Sequence, residues 1–381
     1  MTGSPTDLRP RRASPEELET WDRIAVDGFA GHVLQSLAWG EHRRRTGWRA
    51  DHWVFPDGSR ALVLRRPWPL LPGESAYVPR GPIPATPTTD RAGLLVALGQ
   101  ALAGEGVDVL AADPEVPAAA PGYLDRIRAA GFRPIEEIQP ARHRLALALD
   151  PASGEEAAFA RIARPTRQRI RAAERAGLVV VRYDGRGGDP GPGFVAPVEP
   201  PEVAFERFAD LLARTGERRG FGFDRADFLG WWLAAHAAGH LVLLLAHEPS
   251  SGVGLGAEGP GGGPIAGLLL YRHGCRLSTV HSGDLAEARR RTPGALHLLR
   301  WRAIQLALRE ERRELDLGGV DRPGARRIPE PGEPLYGLYE HKRSFGAEWV
   351  ELAGAHELVV RPIRYAAGRA LARAARLLRR R

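Results

Sequence analysis

The sequence predicts an α/β protein made of two similarly built domains, and three observations lead there. The chain has 381 residues, long for a single hydrophobic core. Its composition, 43 % hydrophobic and 26 % charged, is that of an ordinary globular protein. Its two halves also repeat one order of elements: helices, a hairpin, a helix, then a strand ending near an aspartate, Asp113 in one half and Asp316 in the other.

Residues 1–14 read as a disordered basic lead. A helix starts at Ser14-Pro15-Glu16-Glu17, with serine as cap, proline in the first turn and acid at the positive end. A second helix covers 36–45. HWVF, the turn Pro56-Asp57-Gly58 and ALVLR make a hairpin. SAYVP is a strand closed by the turn Arg80-Gly81-Pro82. A helix over 90–103, a strand over 107–111, a helix over 121–130 and a strand over 143–149 follow.

In the second half a basic helical stretch over 155–176 is interrupted at Pro165, and strand LVVVRY comes next. A Gly/Pro loop fills 184–200, and helices lie near 201–214 and 225–238. HLVLLLAH leads through a Gly-rich loop at 250–264 into the hairpin PIAGLLLYRHG–CRLSTVHSG. A helix over 293–310 precedes strand ELDLGG. The tail holds a helix near 334–344, strands AEWVEL and HELVV, and a last helix from Pro362. That helix carries Ile363, Ala367, Ala370, Leu371, Ala374, Leu377 and Leu378 at helical spacing, with arginines on its other faces. Two readings are open: docking on the core through the apolar stripe, or contact with anionic lipid. The stripe is mostly alanine and buries little area, which favours the first.

The net charge of +8 and pI of about 10.3 favour an anionic partner: nucleic acid, a phosphorylated substrate or an acidic membrane surface. Cys275 is the one cysteine, which excludes an internal disulfide and a multi-cysteine metal site. The first residues lack the apolar stretch of a signal peptide, and no run approaches the length of a membrane span. The expectation is a cytoplasmic protein, at most visiting the inner face of the membrane.

Lys342 is the one lysine among 54 basic residues, and the chain has no asparagine. Such a skew points to a coding bias that turns exchangeable lysines into arginines. A lysine retained under it is one that arginine does not replace, unless it is a chance survivor on a solvated helix. Lysine is a compact point charge on a thin stem, arginine a planar fork. A compact charge suits stabilisation of a reacting oxygen.

Several familiar sites are missing: there is no GxxxxGK, HExxH or GxSxG. The histidines do not cluster with metal-ligand spacing, and His281 and His297 read as core or surface residues. Arg291-Thr292-Pro293-Gly294-Ala295-Leu296 faintly resembles the pyrophosphate loop of acetyltransferases, with Leu296 where a small residue is expected. The run from Arg161 to Arg175 is the densest charge on a predicted helix. It is either a phosphate-binding face or a merely solvated one.

Four segments, in order, resemble the Fem family of non-ribosomal aminoacyltransferases, which build peptidoglycan cross-bridges. They are Leu34-Gln35-Ser36-Leu37-Ala38-Trp39 with Arg43; Tyr77-Val78-Pro79-Arg80-Gly81-Pro82; Leu315-Asp316-Leu317-Gly318-Gly319; and Gly337-Leu338-Tyr339-Glu340-His341-Lys342-Arg343-Ser344-Phe345-Gly346. The resemblance runs from about residue 15 to 365. It implies an α/β fold of two tandem GNAT-like (acyl-CoA N-acyltransferase-like) domains with mixed sheets flanked by helices. The expected boundaries are 15–150 plus 346–381 for the first domain and 151–345 for the second.

The resemblance also implies a transferase with no cofactor and no acetyl-CoA. The donor would be aminoacyl-tRNA and the acceptor a stem-peptide amine of lipid II or UDP-MurNAc-pentapeptide, in a cleft shared by the domains of a monomer. Lys342 matches the family's catalytically important lysine. Arg43, Arg225, Phe228, Trp39, Tyr77, Arg80 and Asp113 fall at substrate-binding positions. The role of holding tRNA shifts to Arg164, Arg167 and Arg171 of the basic helix, with His341 replacing a phenylalanine found in some members. No residue presents itself as general base. The rivals are an acyl-CoA-dependent N-acyltransferase on the same fold and a basic module that binds nucleic acid or a membrane surface without turnover.

Overall fold

The structure, a computed structural model, describes residues 8–249 and 262–378, with side chains to 375. The Gly-rich loop expected at 250–264, apart from its last three residues, and the terminal arginines lie outside the described residues. The chain forms two compact units. The first holds the described residues up to His143, Asp321–Arg327 and those from Val350; the second holds Arg144–Val320 and Ile328–Trp349.

The first unit begins with β1 (Arg11–Arg12), α1 (Pro15–Glu19), α2 (Trp21–Ala25) and α3 (Leu37–Arg45). Strands β2 (Arg49–Val54), β3 (Arg60–Pro67) and β4 (Glu74–Val78) form an antiparallel meander. Helix α4 (Arg91–Gly104) crosses over to β5 (Val107–Ala112), parallel to β4; α5 (Tyr123–Ala129) and β6 (Phe132–Pro134) follow.

The second unit starts with β7 (Arg144–Ala148), α6 (Gly154–Arg161), α7 (Arg164–Arg175), β8 (Val179–Asp184), α8 (Pro201–Arg219) and α9 (Arg225–Ala237). Strands β9 (Leu241–His247), β10 (Ala266–His273) and β11 (Arg276–Asp284) continue a meander begun by β8. After α10 (Ala286–Arg291), helix α11 (Ala295–Arg309) crosses over to β12 (Glu314–Asp316), parallel to β11. Helix α12 (Tyr336–Arg343) and β13 (Glu348–Val350) finish this unit, and β14 (His356–Val359) and α13 (Pro362–Leu378) return to the first.

The two seven-stranded mixed sheets run β1-β2-β3-β4-β5-β14-β6 and β13-β7-β12-β11-β10-β9-β8. Each is a meander, one helical crossover to a parallel strand, and then a strand supplied from a distant part of the chain: β14 in one sheet, β7 in the other. Both are mixed sheets flanked by helices.

Local chemistry explains the elements. Ser14 caps α1 as expected and makes a capping box with Glu17. Strand β3 is buried on both faces over Ala61–Leu64, so its apolar residues run unbroken there, and β2 ends in the buried pair Trp53 and Val54. Trp53, Phe55, Ala61 and Val63 join one core, while Ala50, Val54, Leu62 and Leu64 pack around Trp21. Pro165 stands in the first turn of α7 and accounts for the break from α6.

Three expectations need correction. Of the lead expected to be disordered, residues 11–12 form a strand: Arg11 and Arg12 pair with Val54 and Trp53 and cover the edge of β2. Residues 1–7 lie outside the described residues. The domain boundary at 150 is also displaced. Strand β7 pairs with β12, Leu147 opposite Leu315, and so belongs to the second sheet. Residues 321–327 go to the first unit instead, where the Asp321 carboxylate accepts from the backbone N–H groups of Arg142 and His143 at 3.0 and 3.1 Å. The last helix docks in the opposite sense to the favoured reading. Its buried residue is Gly368, while Ile363, Ala367, Ala370 and Ala374 face solvent.

Candidate functional site

In the second unit the site grows from the turn after β12. Gly318 has φ +74°, a conformation that favours glycine, and its N–H donates to Asp316 Oδ1 at 2.7 Å. The turn aims two successive carbonyls the same way. Lys342, in the last turn of α12, donates from Nζ to Gly318 O at 3.0 Å and to Gly319 O at 2.9 Å. The residue is only 5 % exposed. Its ammonium is therefore a fixed point of charge, not a mobile one on a solvated helix.

An aromatic group adjoins it. The His341 ring meets His297 edge-on at 4.6 Å and Phe345 at 5.5 Å, and His297 stacks on Phe345 at 6.1 Å. Burial, reinforced by Arg300, His297, Lys342 and Arg169, pushes His341 down to about 2. Burial, with Arg169 and Arg300, pushes His297 down to about 4. Both rings are neutral near pH 7 and serve as apolar, stackable surfaces rather than as cations.

Arg300, on α11, is 4 % exposed. Its Nη1 reaches Leu296 O at 3.4 Å, and its Nε has no hydrogen-bond partner among the described residues. Burial, with the repulsion of Arg219, lowers it to about 10 despite the attraction of Asp284. A guanidinium so placed is destabilising by itself and well suited to an anion. Arg169 Nη1 lies 3.3 Å from His297 Nε2. The sequence reading chose neither Arg169 nor Arg300. Arg169 was within the basic run, but only the fold shows which arginines of α7 turn toward α11.

The arginines expected to hold tRNA divide. Arg164 is exposed at the start of α7. Arg167 donates to Ala160 O and Ile162 O at 2.6 and 2.9 Å, sealing the α6–α7 junction. Arg171 lies 5.4 Å over the Phe159 ring. Arg225 pairs with Glu206 and, at 2.8 Å, with Asp210, tying α9 to α8. Phe228 sits edge-on to Phe223, Trp232 and His281 in an aromatic cluster.

In the first unit three expected residues converge. The Asp113 carboxylate, 1 % exposed, accepts from Tyr77 OH at 3.0 Å and from the backbone N–H of Arg80 at 2.9 Å. Arg80 has φ +54°, which turns that N–H inward, and its guanidinium lies 3.8 Å from the carboxylate. Gln139, which the sequence reading missed, donates to Tyr77 OH at 3.1 Å. Burial raises Asp113 to about 6, against the pull of Arg80 and Tyr77. Arg43 lies over the rings of Trp39 and Trp48 at 5.3 and 5.6 Å on α3. Gln35, also in the first matching segment, clamps the backbone of Leu62 and Pro79. Among the described residues no three His, Cys, Asp or Glu side chains gather as a metal site, and no helix is long and apolar enough to cross a membrane.

Among solved structures, that of FemX superposes with a TM-score of 0.74 at 20 % identity, covering 94 % of this chain and 99 % of FemX. The fold is that of the Fem proteins. The C-terminal domain (DUF2156) of a putative lysylphosphatidylglycerol synthetase from Agrobacterium fabrum matches at a TM-score of 0.51 and 14 % identity, covering 94 % of this chain and 95 % of that one. No protein-family model and no curated protein sequence matches the chain. The likeness to FemX thus rests on architecture.

Proposed function

We propose that this protein is a non-ribosomal aminoacyltransferase. It moves an amino acid from aminoacyl-tRNA to the stem-peptide amine of a peptidoglycan precursor, acting in the cytoplasm or at the inner face of the membrane. The observation that carries this reading is the buried Lys342 ammonium held on the Gly318 and Gly319 carbonyls, beside neutral stacking rings and a buried arginine. In the reaction the amine nitrogen attacks the ester carbonyl carbon. An amide C–N bond forms, the ester C–O bond breaks, and the ribose hydroxyl of tRNA leaves with a proton from the amine. Lys342 stabilises the negative charge that develops on the donor. His297 and His341 offer rings for stacking a terminal base, and Arg300 with Arg169 receives phosphate.

The buried polar cluster of Asp113, Tyr77 and Arg80 serves, on this reading, the acceptor peptide. Incubation with a mixture of charged tRNAs and precursor pentapeptide tests the proposal. A peptide heavier by one aminoacyl residue is expected, and none from acetyl-CoA. The second reading, an acyl-CoA N-acyltransferase, draws on Gly294. Its φ of +110° lets α11 start against the Arg169 carbonyl, which a Cβ there would approach to 2.4 Å. Protection against heating by acetyl-CoA, with no response to tRNA, would favour it.

A further inference from the structure

Helix α13, Pro362–Leu378, touches the first unit through polar groups and a glycine. A Cβ on Gly368 would lie 2.3 Å from the Trp68 ring, so only glycine lets the helix approach the indole. Arg364 donates to Asp108 at 2.6 Å, Arg361 to Val107 O at 3.0 Å, and Tyr365 OH to Glu357 at 2.7 Å. At about 100° per residue the opposite side is the apolar stripe. Ile363 is 85 % exposed, and Ala367, Ala370 and Ala374 are exposed with it. Arg369 and Arg373, both exposed, run along one border of the stripe. Leu70, 93 % exposed, tops the loop whose Trp68 packs under the helix. The sequence continues with Arg376, Leu377, Leu378 and three arginines.

A helix held by its polar side, with its apolar side turned out and arginines on the border, has the form of an interfacial helix. We propose that this face of α13 rests on a lipid surface bearing anionic headgroups. The stripe sits at the boundary of headgroups and acyl chains, and Arg369 and Arg373 meet lipid phosphates. Charge complementarity selects this occupant: the border and the whole chain are basic. The size of the stripe argues against a second copy of the chain. Three of its four exposed residues are alanine, far short of the roughly 800 Å² per partner that a stable dimer buries. The inference stands apart from the transfer reaction, because lipid binding is read without substrate.

The test is co-sedimentation of the full chain with vesicles of phosphatidylcholine alone and of phosphatidylcholine mixed with phosphatidylglycerol, at low and high salt. Binding to the mixed vesicles only, weakened by salt, is expected. Each of Arg369→Gln and Arg373→Gln should lower partitioning about fivefold. The triple variant Ile363→Glu, Ala367→Glu, Ala370→Glu should abolish it while melting like the parent, since these side chains lie in solvent. Equal binding to neutral vesicles, no binding, or binding indifferent to the triple variant overturns the proposal. So does a concentration-dependent dimer that the triple variant dissolves.

Discussion

Lys342 Nζ bridges the carbonyl oxygens of Gly318 and Gly319, at 3.0 and 2.9 Å, from a helix that begins seventeen residues after the second of them. Gly318 O also accepts from Leu145 N–H at 3.2 Å, so the ammonium is anchored to the strand pair β12–β7 and not to a loose loop. The bridge orients the charge and helps hold α12 in place. Lys342→Ala is expected to lower transfer by about 10²–10³, with a stability loss of about 1–2 kcal/mol from the two hydrogen bonds removed. Lys342→Arg is expected to fold and to transfer poorly, since a planar fork does not reproduce a single Nζ bridging two successive carbonyls. Single-turnover transfer and thermal melts check both. Full activity of the arginine variant would show that charge alone suffices.

Arg300 supplies a different signature. A buried guanidinium beside Arg219, with Nε unpartnered, lowers stability in the absence of an anion. Arg300→Met is therefore expected to stabilise the free protein by about 1–4 kcal/mol. The same change is expected to weaken aminoacyl-tRNA binding by about tenfold, the loss of one charge-assisted contact. Denaturant unfolding and filter binding read the two effects. A destabilised variant would mean that Arg300 has a structural role instead.

Much of this was legible in the sequence, and the gaps have physical causes. Hairpins, caps and the break at Pro165 follow from local rules, and these elements fall where expected. The placement of β7 could not be read that way, because its partner β12 lies far along the chain and pairing leaves no local mark. Periodicity in α13 shows which residues share a face but not which face docks; the deciding residue is Gly368, whose missing side chain admits Trp68. Lys342 stood out through composition, whereas Arg169 and Arg300 were hidden among 54 basic residues. Arg300 is set apart by its burial and Arg169 by its reach to His297, both properties of the fold.

His341 and His297 make the second unit sensitive to acid. Unfolded, each titrates near 6.5; folded, burial and neighbouring cations lower them to about 2 and about 4. Folded values below unfolded ones mean that their contribution is fully present above pH 6.5 and is lost as pH falls. At pH 5 each costs about 2 kcal/mol relative to neutral pH. His341→Phe keeps an aromatic ring against Phe345 and removes one titrating group. The variant is expected to lose about 2 kcal/mol less than the parent between pH 7 and pH 5, with transfer changed only a few-fold. Urea unfolding at each pH decides it: an unchanged slope would show that His341 does not stay neutral in the fold.

Asp113 has the opposite sign. Its carboxyl titrates near 3.8 when unfolded and about 6 when folded, raised by burial. The folded state then holds more protons between these values, so stability falls as pH rises from about 4 to about 6 and is flat above. The total is about 3 kcal/mol. The cause is specific: Tyr77 OH and the Arg80 N–H each satisfy the carboxylate, yet the Arg80 guanidinium at 3.8 Å does not offset the desolvation. Asp113→Asn keeps an acceptor for the Arg80 N–H and carries no charge. That variant is expected to lack the fall between pH 4 and pH 6 and, at pH 7, to be no less stable than the parent. Because the histidines act in the same range with the reverse slope, the comparison is made in the His341→Phe background. There, a fall that persists after Asp113→Asn would assign the titration to another carboxylate and leave Asp113 ionised in its pocket.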